Sequence, residues 1–404
     1  MAIPRSLPQG AAIIGQSGGP TAVINQSLVG VIEGLKGFAP VKKIYGMRHG
    51  VDGLIRHLPL VDLTAITSEQ MEKIARTPSA ALGSSRAKPT EADGPRIFDA
   101  LKAADVRYFF YIGGNDSSDT CRIIYELSQR TGYEVHCIHV PKTVDNDLMM
   151  NDHTPGFGSA ARFVAMAFMA DDKDNASLPG IKINVVMGRN AGFLTAASVL
   201  ARSGEHDGPH LIYMPEVPFD IDRFVADVKE AVAKHGRCQI AVSEGIKDKE
   251  GVEIGAKLIS GDKDAHGNAQ LSGSGALGDM LSNLLKDRIK SPSGKPPRVR
   301  ADTLGYLQRC WPEPSPVDAA EARAVGVKAA QEAMTGLTDG SIAIARISNH
   351  PYRIEKRVVR LSDVAAKTKV MPPEFINGHN NVTKAFIDYC RPLVGDLPNM
   401  YRLV

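Results

Sequence analysis

Short apolar runs alternate along this chain with longer segments in which apolar residues recur every three or four positions. The short runs predict buried β-strands. They cover residues 11–15, 108–112, 135–140, 183–187, 210–214, 238–245 and 340–347. The longer segments predict helices near residues 21–36, 117–130, 194–202, 222–236, 317–334 and 381–391. This alternation of strand and helix is typical of parallel sheets with helices on both faces.

The length of 404 residues is enough for two domains. We therefore predict an α/β fold of two Rossmann-like domains with mainly parallel sheets. Because ligands bind beyond the carboxyl ends of parallel strands, we expect the active site at those ends.

Charge and composition are those of an ordinary globular protein. The chain carries 48 basic and 45 acidic residues, a net charge of +3, and no basic run interleaved with aromatic residues. We therefore expect no nucleic-acid partner. No apolar run reaches the ~18 residues of a membrane span, and no signal peptide is visible, so we expect no membrane association. Five scattered cysteines without a CxxC pair predict reduced thiols in a cytoplasmic protein.

Two polar segments that directly follow predicted strands carry the densest chemistry. Pro141–Asp147 reads PKTVDND and contains Lys142, Asp145 and Asp147. Ile112–Thr120 reads IGGNDSSDT and opens a predicted helix. Carboxylates and a cation at the end of a buried strand suit phosphate and metal chemistry. Either segment alone could be a surface turn, but two of the same kind indicate a functional site.

Glycines and arginines at other strand ends suggest phosphate-binding loops. Gly15–Thr21 (GQSGGPT) joins the first strand to the first helix, where backbone N–H groups and the helix dipole favour an anion. A plain tight turn is the alternative for this loop. Leu82–Arg86 (LGSSR) and Met187–Gly192 (MGRNAG) each contain an arginine that could donate paired hydrogen bonds to a phosphate. Further candidates near strand ends are Glu244, Arg300 and Arg309.

Two other motifs support competing hypotheses. Gly273–Gly278 (GSGALG) matches the dinucleotide-binding pattern GxGxxG. However, no clear strand precedes it, and no ribose-binding acid follows about twenty residues later. His136 and His139 could suggest a zinc site, but two residues at this spacing on a strand point to opposite faces.

The ordered motifs of this chain resemble those of the 6-phosphofructokinase family. SGGPTAVIN, GGNDSSDT, PKTVDND, MGR, SEG and LGYLQR occur in the family's order and lie between residues 11 and 345. Within the family, the chain is similar to the pyrophosphate-dependent branch. The resemblance implies a glycolytic enzyme that reversibly transfers a phosphoryl group from diphosphate to the 1-hydroxyl of fructose 6-phosphate. The resemblance further implies a first domain at residues 1–155, with about 307–350 returning to it, that binds diphosphate and Mg²⁺. It implies a second domain at 156–306, with about 351–404 returning to it, that binds fructose 6-phosphate, and an active site in the cleft between the domains. We expect a homodimer or homotetramer.

The resemblance also implies roles for individual residues. Asp145 would be the base that takes the proton from the sugar 1-hydroxyl, with Asp147 beside it as a second catalytic carboxylate. Thr143 and Val144 would hold the acceptor end of the sugar. Fructose 6-phosphate would further be bound by Met187, Gly188, Arg189, Glu244, Arg300, Tyr306, Leu307, Gln308 and Arg309. Diphosphate would be bound by Gly18, Gly19, Arg86 and Lys142.

Two positions are expected to select the phosphoryl donor. ATP-dependent members of the family have glycine where this chain has Asp116 and Lys142. The Asp116 carboxylate would repel the α-phosphate of ATP. Lys142 would stabilise negative charge on the transferring phosphoryl group. Two alternatives remain open, an ATP-dependent 6-phosphofructokinase and, from a different class, a dinucleotide-binding protein that uses GSGALG.

The expected cofactor is Mg²⁺. Where the family has its magnesium-binding aspartate, this chain has Asn115, whose amide oxygen is an uncharged ligand. Mg²⁺ would therefore depend on the oxygens of diphosphate, with Asp145 or Asp147 as further ligands.

Overall fold

The computed structural model describes residues 7–255, 275–290 and 294–401. The strands of the described part, in chain order, are β1 Gly10–Gln16, β2 Val41–Gly46, β3 Val61–Asp62, β4 Val106–Gly113, β5 His136–Pro141, β6 Ile181–Val186, β7 Leu211–Tyr213, β8 Cys238–Ser243, β9 Val299–Thr303, β10 Asp339–Asn349, β11 Tyr352–Val359, β12 Ile376–Asn377 and β13 Asn381–Val382. Every strand predicted from the sequence is present, with ends that move by one or two residues.

The α-helices of the described part are α1 Ile24–Leu35, α2 Gly50–Ile55, α3 Ser68–Arg76, α4 Gly94–Ala103, α5 Asn115–Thr131, α6 Phe157–Ser177, α7 Phe193–Ala197, α8 Ile221–His235, α9 Ala276–Arg288, α10 Pro316–Met334, α11 Leu361–Val364 and α12 Lys384–Val394. The predicted helix at 194–202 is α7 followed by a 3₁₀ turn at Ser198–Ala201. The long helix α6 was not predicted. No helix in this described part is long and apolar enough to cross a bilayer.

The described residues divide into two compact units. The first unit holds the residues up to Val144, together with Leu148–Ser159 and Arg309–Thr368. The second unit holds Asp145–Asp147, Ala160–Gln308 and the chain from Lys369 onward. This division differs from the prediction that residues 351–404 all return to the second domain. Residues 351–368 belong to the first unit because β11 pairs antiparallel with β10 in its sheet.

The first unit contains a seven-stranded sheet in the order β11-β10-β5-β4-β1-β2-β3. Its five central strands are parallel, and the edge strands β11 and β3 are antiparallel to their neighbours. Ala12 and Ile14 of β1 pack in the core with residues of α1 and α10. Ala11 and Ile13 pack on the opposite face with residues of α2 and α4. Helices on both faces explain why β1 is a continuous apolar run.

The second unit contains a fully parallel four-stranded sheet in the order β7-β8-β6-β9. Ile183 and Val185 of β6 pack with Val228 of α8 and Leu281 of α9. A separate two-stranded ladder joins β12 to β13. Two mainly parallel sheets with covering helices confirm the predicted fold class.

Some of the sequence hypotheses involve residues outside the described part of the chain. Gly273 and Ser274 of the GSGALG pattern lie outside it, whereas Ala276 begins α9. Parts of the predicted loops at 247–278 and 291–297 also lie outside it.

Candidate active site

Three of the predicted site segments leave adjacent strands of the first sheet at the same edge. β1 lies between β2 and β4, and β4 lies between β1 and β5. Gln16 at the end of β1 is in register with Ile112 of β4, and Gly113 of β4 is in register with Pro141 of β5. The segments GQSGGPT, GGND and PKTVDND therefore begin side by side, at the edge where parallel sheets bind ligands.

The Lys142 ammonium lies against the glycine-rich loop after β1. Its Nζ donates a hydrogen bond to the Gly19 carbonyl oxygen at 2.7 Å. Gly18 has φ +75°, and a Cβ at this position would be 3.1 Å from Lys142 Nζ. This conformation and this close approach both favour glycine. Lys142 is only 3% exposed, so the structure brings a buried cation to the predicted diphosphate loop.

Arg86 and Arg309 both lie close to this loop. The Gly18 N–H donates to the Ser85 carbonyl at 2.8 Å, which places the exposed Arg86 next to the loop. A Cβ at Gly19 would be 2.5 Å from Nη1 of Arg309. Arg309 thus lies beside the predicted diphosphate loop, in the first unit. We predicted that it binds the sugar phosphate, and that role stays a prediction.

The first turn of α5 carries Asn115 and Asp116 on the adjacent strand end. Both follow Gly114 at the helix N-terminus, where the helix dipole stabilises an acidic side chain such as Asp116. Gly113, the residue directly before Gly114, is contacted by the side chain of His139. The His139 ring is within 2.9 Å of the Gly113 carbonyl through Nε2 and within 2.8 Å of Ser341 Oγ through Nδ1.

His139 is a structural histidine rather than half of a zinc pair. It is fully buried, and burial lowers its pKa to about 4, so the ring is neutral at physiological pH. A neutral ring can donate to Gly113 and accept from Ser341. His136 lies within 3.4 Å of Glu134, so the two histidines have different partners.

Backbone and side-chain contacts hold the segment that carries the predicted base. The Thr143 N–H donates to the Pro155 carbonyl at 3.2 Å, and Thr154 Oγ1 donates to the Thr143 carbonyl at 2.8 Å. Val144 is buried. In the next turn, Asp145 and Asp147 flank the buried Asn146, which has φ +60°. Residues other than glycine seldom have positive φ, and asparagine is one of those that adopt it most readily.

The second sheet repeats this arrangement at its own carboxyl edge. β6 lies between β8 and β9, with Val186 in register with Ser243 and Val185 in register with Thr303. Met187–Arg189, Glu244 and the LGYLQR segment therefore follow adjacent strands. LGYLQR contains a 3₁₀ turn, Gly305–Arg309. These residues were predicted to bind fructose 6-phosphate.

Glu244 and Gln308 shape the loop after β6. The Gly188 N–H donates to Glu244 Oε1 at 3.4 Å, and the Met187 N–H donates to Gln308 Oε1 at 3.3 Å. Gln308 is buried, whereas Tyr306 is 43% and Leu307 65% exposed. Gln308 thus positions the loop, and the two side chains before it are accessible to a ligand.

The two remaining arginines of the sugar-phosphate set differ in their surroundings. Arg189 forms a paired interaction with Glu253, with Nε to Oε1 at 2.9 Å and Nη2 to Oε2 at 2.8 Å. Arg300 lies exposed on β9, and its Nη1 donates to the Val299 carbonyl at 3.1 Å. Glu253 therefore holds the Arg189 guanidinium in one orientation.

Sequence reasoning missed Glu253 and the role of His139. Glu253 lies 64 residues from Arg189 in a loop rich in Gly, Asp and Lys, where one glutamate carries no distinguishing signal. His139 could have been suspected from its place in an otherwise apolar strand. Its partner Ser341, 202 residues away, could not.

The oxygen donors at these strand ends suit Mg²⁺. The Asn115 amide and the carboxylates of Asp145 and Asp147 are hard oxygen ligands of the kind that Mg²⁺ prefers. Among the residues the structure describes, no cluster of three or more His, Cys, Asp or Glu side chains could hold a metal ion. Asn115 lies in the first unit and the two aspartates in the second. Mg²⁺ usually binds through one or two protein oxygens together with water and substrate phosphates, so each of these donors is of a suitable chemical kind.

The predicted site residues fall into two sets. The first unit holds Gly18, Gly19, Arg86, Asn115, Asp116, Lys142, Thr143, Val144 and Arg309. The second unit holds Asp145, Asp147, Met187, Gly188, Arg189, Glu244, Arg300, Tyr306, Leu307 and Gln308. Most members of each set follow neighbouring strands of that unit's sheet. Asp145 and Asp147 are the exception, because they continue the segment that begins at the end of β5.

Comparison with known proteins identifies a family. Residues 11–333 match the family described as phosphofructokinase. A pyrophosphate–fructose 6-phosphate 1-phosphotransferase of Rhodospirillum rubrum is 53% identical over 98% of this chain and 97% of its own length. The enzyme of the same name from Halomonas elongata is 38% identical over 96% of this chain and 92% of its own.

A solved structure has the same architecture over nearly the whole chain. A pyrophosphate-dependent phosphofructokinase from Nitrosospira multiformis superposes with a TM-score of 0.84 at 34% identity. The match covers 98% of this chain and 95% of that one. At 34% identity over nearly the whole of both chains, the two proteins are related in sequence as well as in fold.

Proposed function

This chain belongs to the phosphofructokinase family, and we propose that it is the diphosphate-dependent kind of enzyme. It transfers a phosphoryl group from diphosphate to the 1-hydroxyl of fructose 6-phosphate, giving fructose 1,6-bisphosphate and phosphate. The reaction is reversible and belongs to glycolysis. The observation that carries the choice of donor is the buried Lys142 ammonium 2.7 Å from the Gly19 carbonyl, at the loop proposed to bind diphosphate.

Charge performs most of the recognition of diphosphate, because this donor has no nucleoside to bind. Lys142 and Arg86 supply positive charge, and the Gly18–Gly19 backbone allows a phosphate to approach closely. Lys142 also stabilises the charge that develops on the transferring phosphoryl group.

Asp116 excludes ATP in this proposal. Its carboxylate lies in the first turn of α5, where an α-phosphate would meet negative charge and occupied volume. Repulsion of this kind is a common way to reject a competing ligand. The side chains of Asp116 and Lys142 therefore do not favour the alternative of an ATP-dependent enzyme.

Asp145 acts as the general base. Its carboxylate takes the proton from the 1-hydroxyl as that oxygen attacks the terminal phosphorus of diphosphate and phosphate departs. Asp147 is the second carboxylate of the turn, and Thr143 and Val144 hold the acceptor end of the sugar. Met187, Gly188 and Glu244 contact the sugar phosphate, and its 6-phosphate is bound by Arg189, Arg300 and the segment Tyr306–Arg309.

Mg²⁺ completes the proposed site. Asn115 and oxygens of diphosphate would hold it, with Asp145 or Asp147 as further ligands. When bound, the ion neutralises phosphate charge. Because asparagine brings no charge of its own, we expect magnesium affinity to depend strongly on bound diphosphate.

We further propose that the enzyme is a cytoplasmic homodimer or homotetramer. Scattered cysteines without a CxxC pair support a reducing compartment. Sedimentation equilibrium of the purified protein would measure the number of subunits, and a monomer at micromolar concentration would contradict the proposed assembly.

One assay tests the function directly. The rate of fructose 1,6-bisphosphate formation is measured with diphosphate and with ATP, side by side, in wild type and in Asp145→Asn. We expect activity with diphosphate, little with ATP, and a kcat lowered ~10²–10⁴-fold in the variant, the usual contribution of a general base. A preference of wild type for ATP would overturn the donor assignment. Saturable binding of NAD without phosphotransfer would support the dinucleotide alternative.

A further inference from the structure

The turn that carries Asp145 is contacted by a distant part of the chain in the same unit. Asn146 Nδ2 donates to the Tyr389 hydroxyl at 2.7 Å, and Lys369 Nζ lies 3.4 Å from Asn146 Oδ1. The Lys369 N–H also donates to the Asp147 carbonyl at 2.7 Å. Three contacts thus hold Asn146 and Asp147, the two residues that directly follow the proposed base Asp145.

The same segment contacts the loop that follows β6. The Met371 N–H and the Gly192 N–H both donate to Glu216 Oε1, at 3.0 and 2.8 Å. Gly192 is the last residue of MGRNAG. One carboxylate oxygen therefore joins the C-terminal segment to the proposed sugar-phosphate loop.

Aromatic packing fixes the hydroxyl that Asn146 contacts. Tyr389 is 5% exposed, and its ring centroid is 5.0 Å from that of Phe375 and 6.2 Å from that of Phe193. Phe193 begins α7 directly after Gly192, and Lys369 Nζ lies 5.0 Å above its ring. Tyr389 and Lys369 thus contact both Asn146 and Phe193, the residue directly after the sugar-phosphate loop.

We propose that Lys369, Met371 and Tyr389 form a C-terminal brace that positions Asp145 relative to the loop Met187–Gly192. This inference rests on the proposed function, since it assigns to Asp145 the role of base. The members of the brace are positioning residues. They act through Asn146 and Glu216, and none is assigned a contact with substrate.

The backbone of Asn146 explains why the turn needs a brace. At φ +60° the backbone of Asn146 is in the left-handed region, which asparagine adopts more readily than most residues but which is still less favourable than the right-handed region, so surrounding contacts help to hold it. The Tyr389 hydroxyl and Lys369 supply such contacts. Without them the turn has less to oppose its relaxation, and a small displacement of a reacting group lowers the rate steeply.

Tyr389→Phe removes only the hydroxyl. Asn146→Gly removes the amide and keeps the left-handed backbone accessible. We expect each to lower kcat with diphosphate ~10–100-fold, as misplacement of a catalytic group does, while the KM of diphosphate stays within about twofold. The double variant should be no slower than the slower single variant, because both remove the same hydrogen bond.

Tyr213→Phe is the matched control. It removes a hydroxyl that donates to Asp227 at 2.8 Å in the same unit, and it should leave kcat unchanged. Hydrogen exchange of the unliganded protein supplies a readout that needs no activity. Tyr389→Phe and Asn146→Gly should accelerate exchange in peptides covering 145–150 and 187–192, and Tyr213→Phe should not.

The outcomes separate the brace from the proposed function. Unchanged exchange in both peptides, or a kcat within twofold of wild type in Tyr389→Phe, would overturn the brace. Independent, multiplying losses in the double variant would also overturn it. Wild-type protein that is inactive with diphosphate would overturn the proposed function instead, and exchange alone would then decide whether the brace holds the turn.

Discussion

The Lys142 ammonium donates a hydrogen bond to the Gly19 carbonyl across 123 residues of sequence. This hydrogen bond joins the loop after β1 to the segment after β5, and it places the buried Lys142 ammonium at the proposed diphosphate site. A cation aimed at developing phosphoryl charge contributes roughly 3 kcal/mol to the transition state. We expect Lys142→Met, which keeps the apolar stem, to lower kcat/KM for diphosphate about a hundredfold.

The matched control for that change is Lys73→Met. Lys73 forms an exposed ion pair with Glu69 on α3, and exposed pairs contribute little. Its variant should keep the wild-type kcat/KM in the same diphosphate assay. A Lys142→Met enzyme with equally unchanged kinetics would remove Lys142 from the donor site.

Asp116→Gly should admit ATP. The change removes negative charge and volume from the first turn of α5, so the α-phosphate of ATP no longer meets a carboxylate. We expect measurable but poor activity with ATP and weaker activity with diphosphate. Measuring kcat/KM for both donors in wild type and variant checks this. Complete inactivity with ATP in the variant would show that Asp116 is not what excludes it.

Arg309→Ala should raise the KM of fructose 6-phosphate more than that of diphosphate, because a phosphate dianion loses a forked donor. Arg309→Lys keeps the charge and loses the fork, and it should give an intermediate KM. Initial rates with each substrate varied in turn measure both constants. A larger rise in the diphosphate KM would move Arg309 to the diphosphate set, with which its position beside Gly19 is also compatible.

His139 should make unfolding sensitive to acid. Burial lowers its folded pKa to about 4 from an ordinary value of 6.5. As the pH falls, His139 therefore binds a proton in the unfolded chain before it does so in the folded protein. The contribution of His139 to the free energy of unfolding is highest above pH 6.5 and decreases as the pH falls from 6.5 toward 4. The loss from this group is of the order of 3 kcal/mol, at ~1.4 kcal/mol per pH unit.

Comparing His139→Gln with wild type isolates this contribution. Glutamine can still donate to the Gly113 carbonyl but does not titrate. Urea unfolding at pH 7 and at pH 4.5 should show a smaller acid-induced decrease in the free energy of unfolding for the variant. The same decrease in both proteins would mean that His139 does not contribute to the pH dependence.

Much of this architecture follows from local pattern. Runs such as AAIIG and YFFYI are apolar at every position because helices cover both faces of the sheet, and that alternation predicts parallel strands. Parallel strands place their carboxyl ends at one edge, so the sequence alone indicates that Gly18, Asp116 and Lys142 belong to one site. Strand ends, glycine turns and polar clusters are properties of a few adjacent residues, and they remain readable without coordinates.

Tertiary structure alone decided which side chains meet. Asn146 and Tyr389 are 243 residues apart, and Arg189 and Glu253 are 64 apart. β11 joins the first sheet by antiparallel pairing with β10, which moved residues 351–368 out of the predicted second domain. Such contacts depend on the register of strands and the packing of whole helices, and their free energy is summed over many distant residues. A local sequence pattern does not contain this information. The partners of Glu253 in its polar loop and of Tyr389 in its amphipathic helix can therefore be identified only from the folded structure.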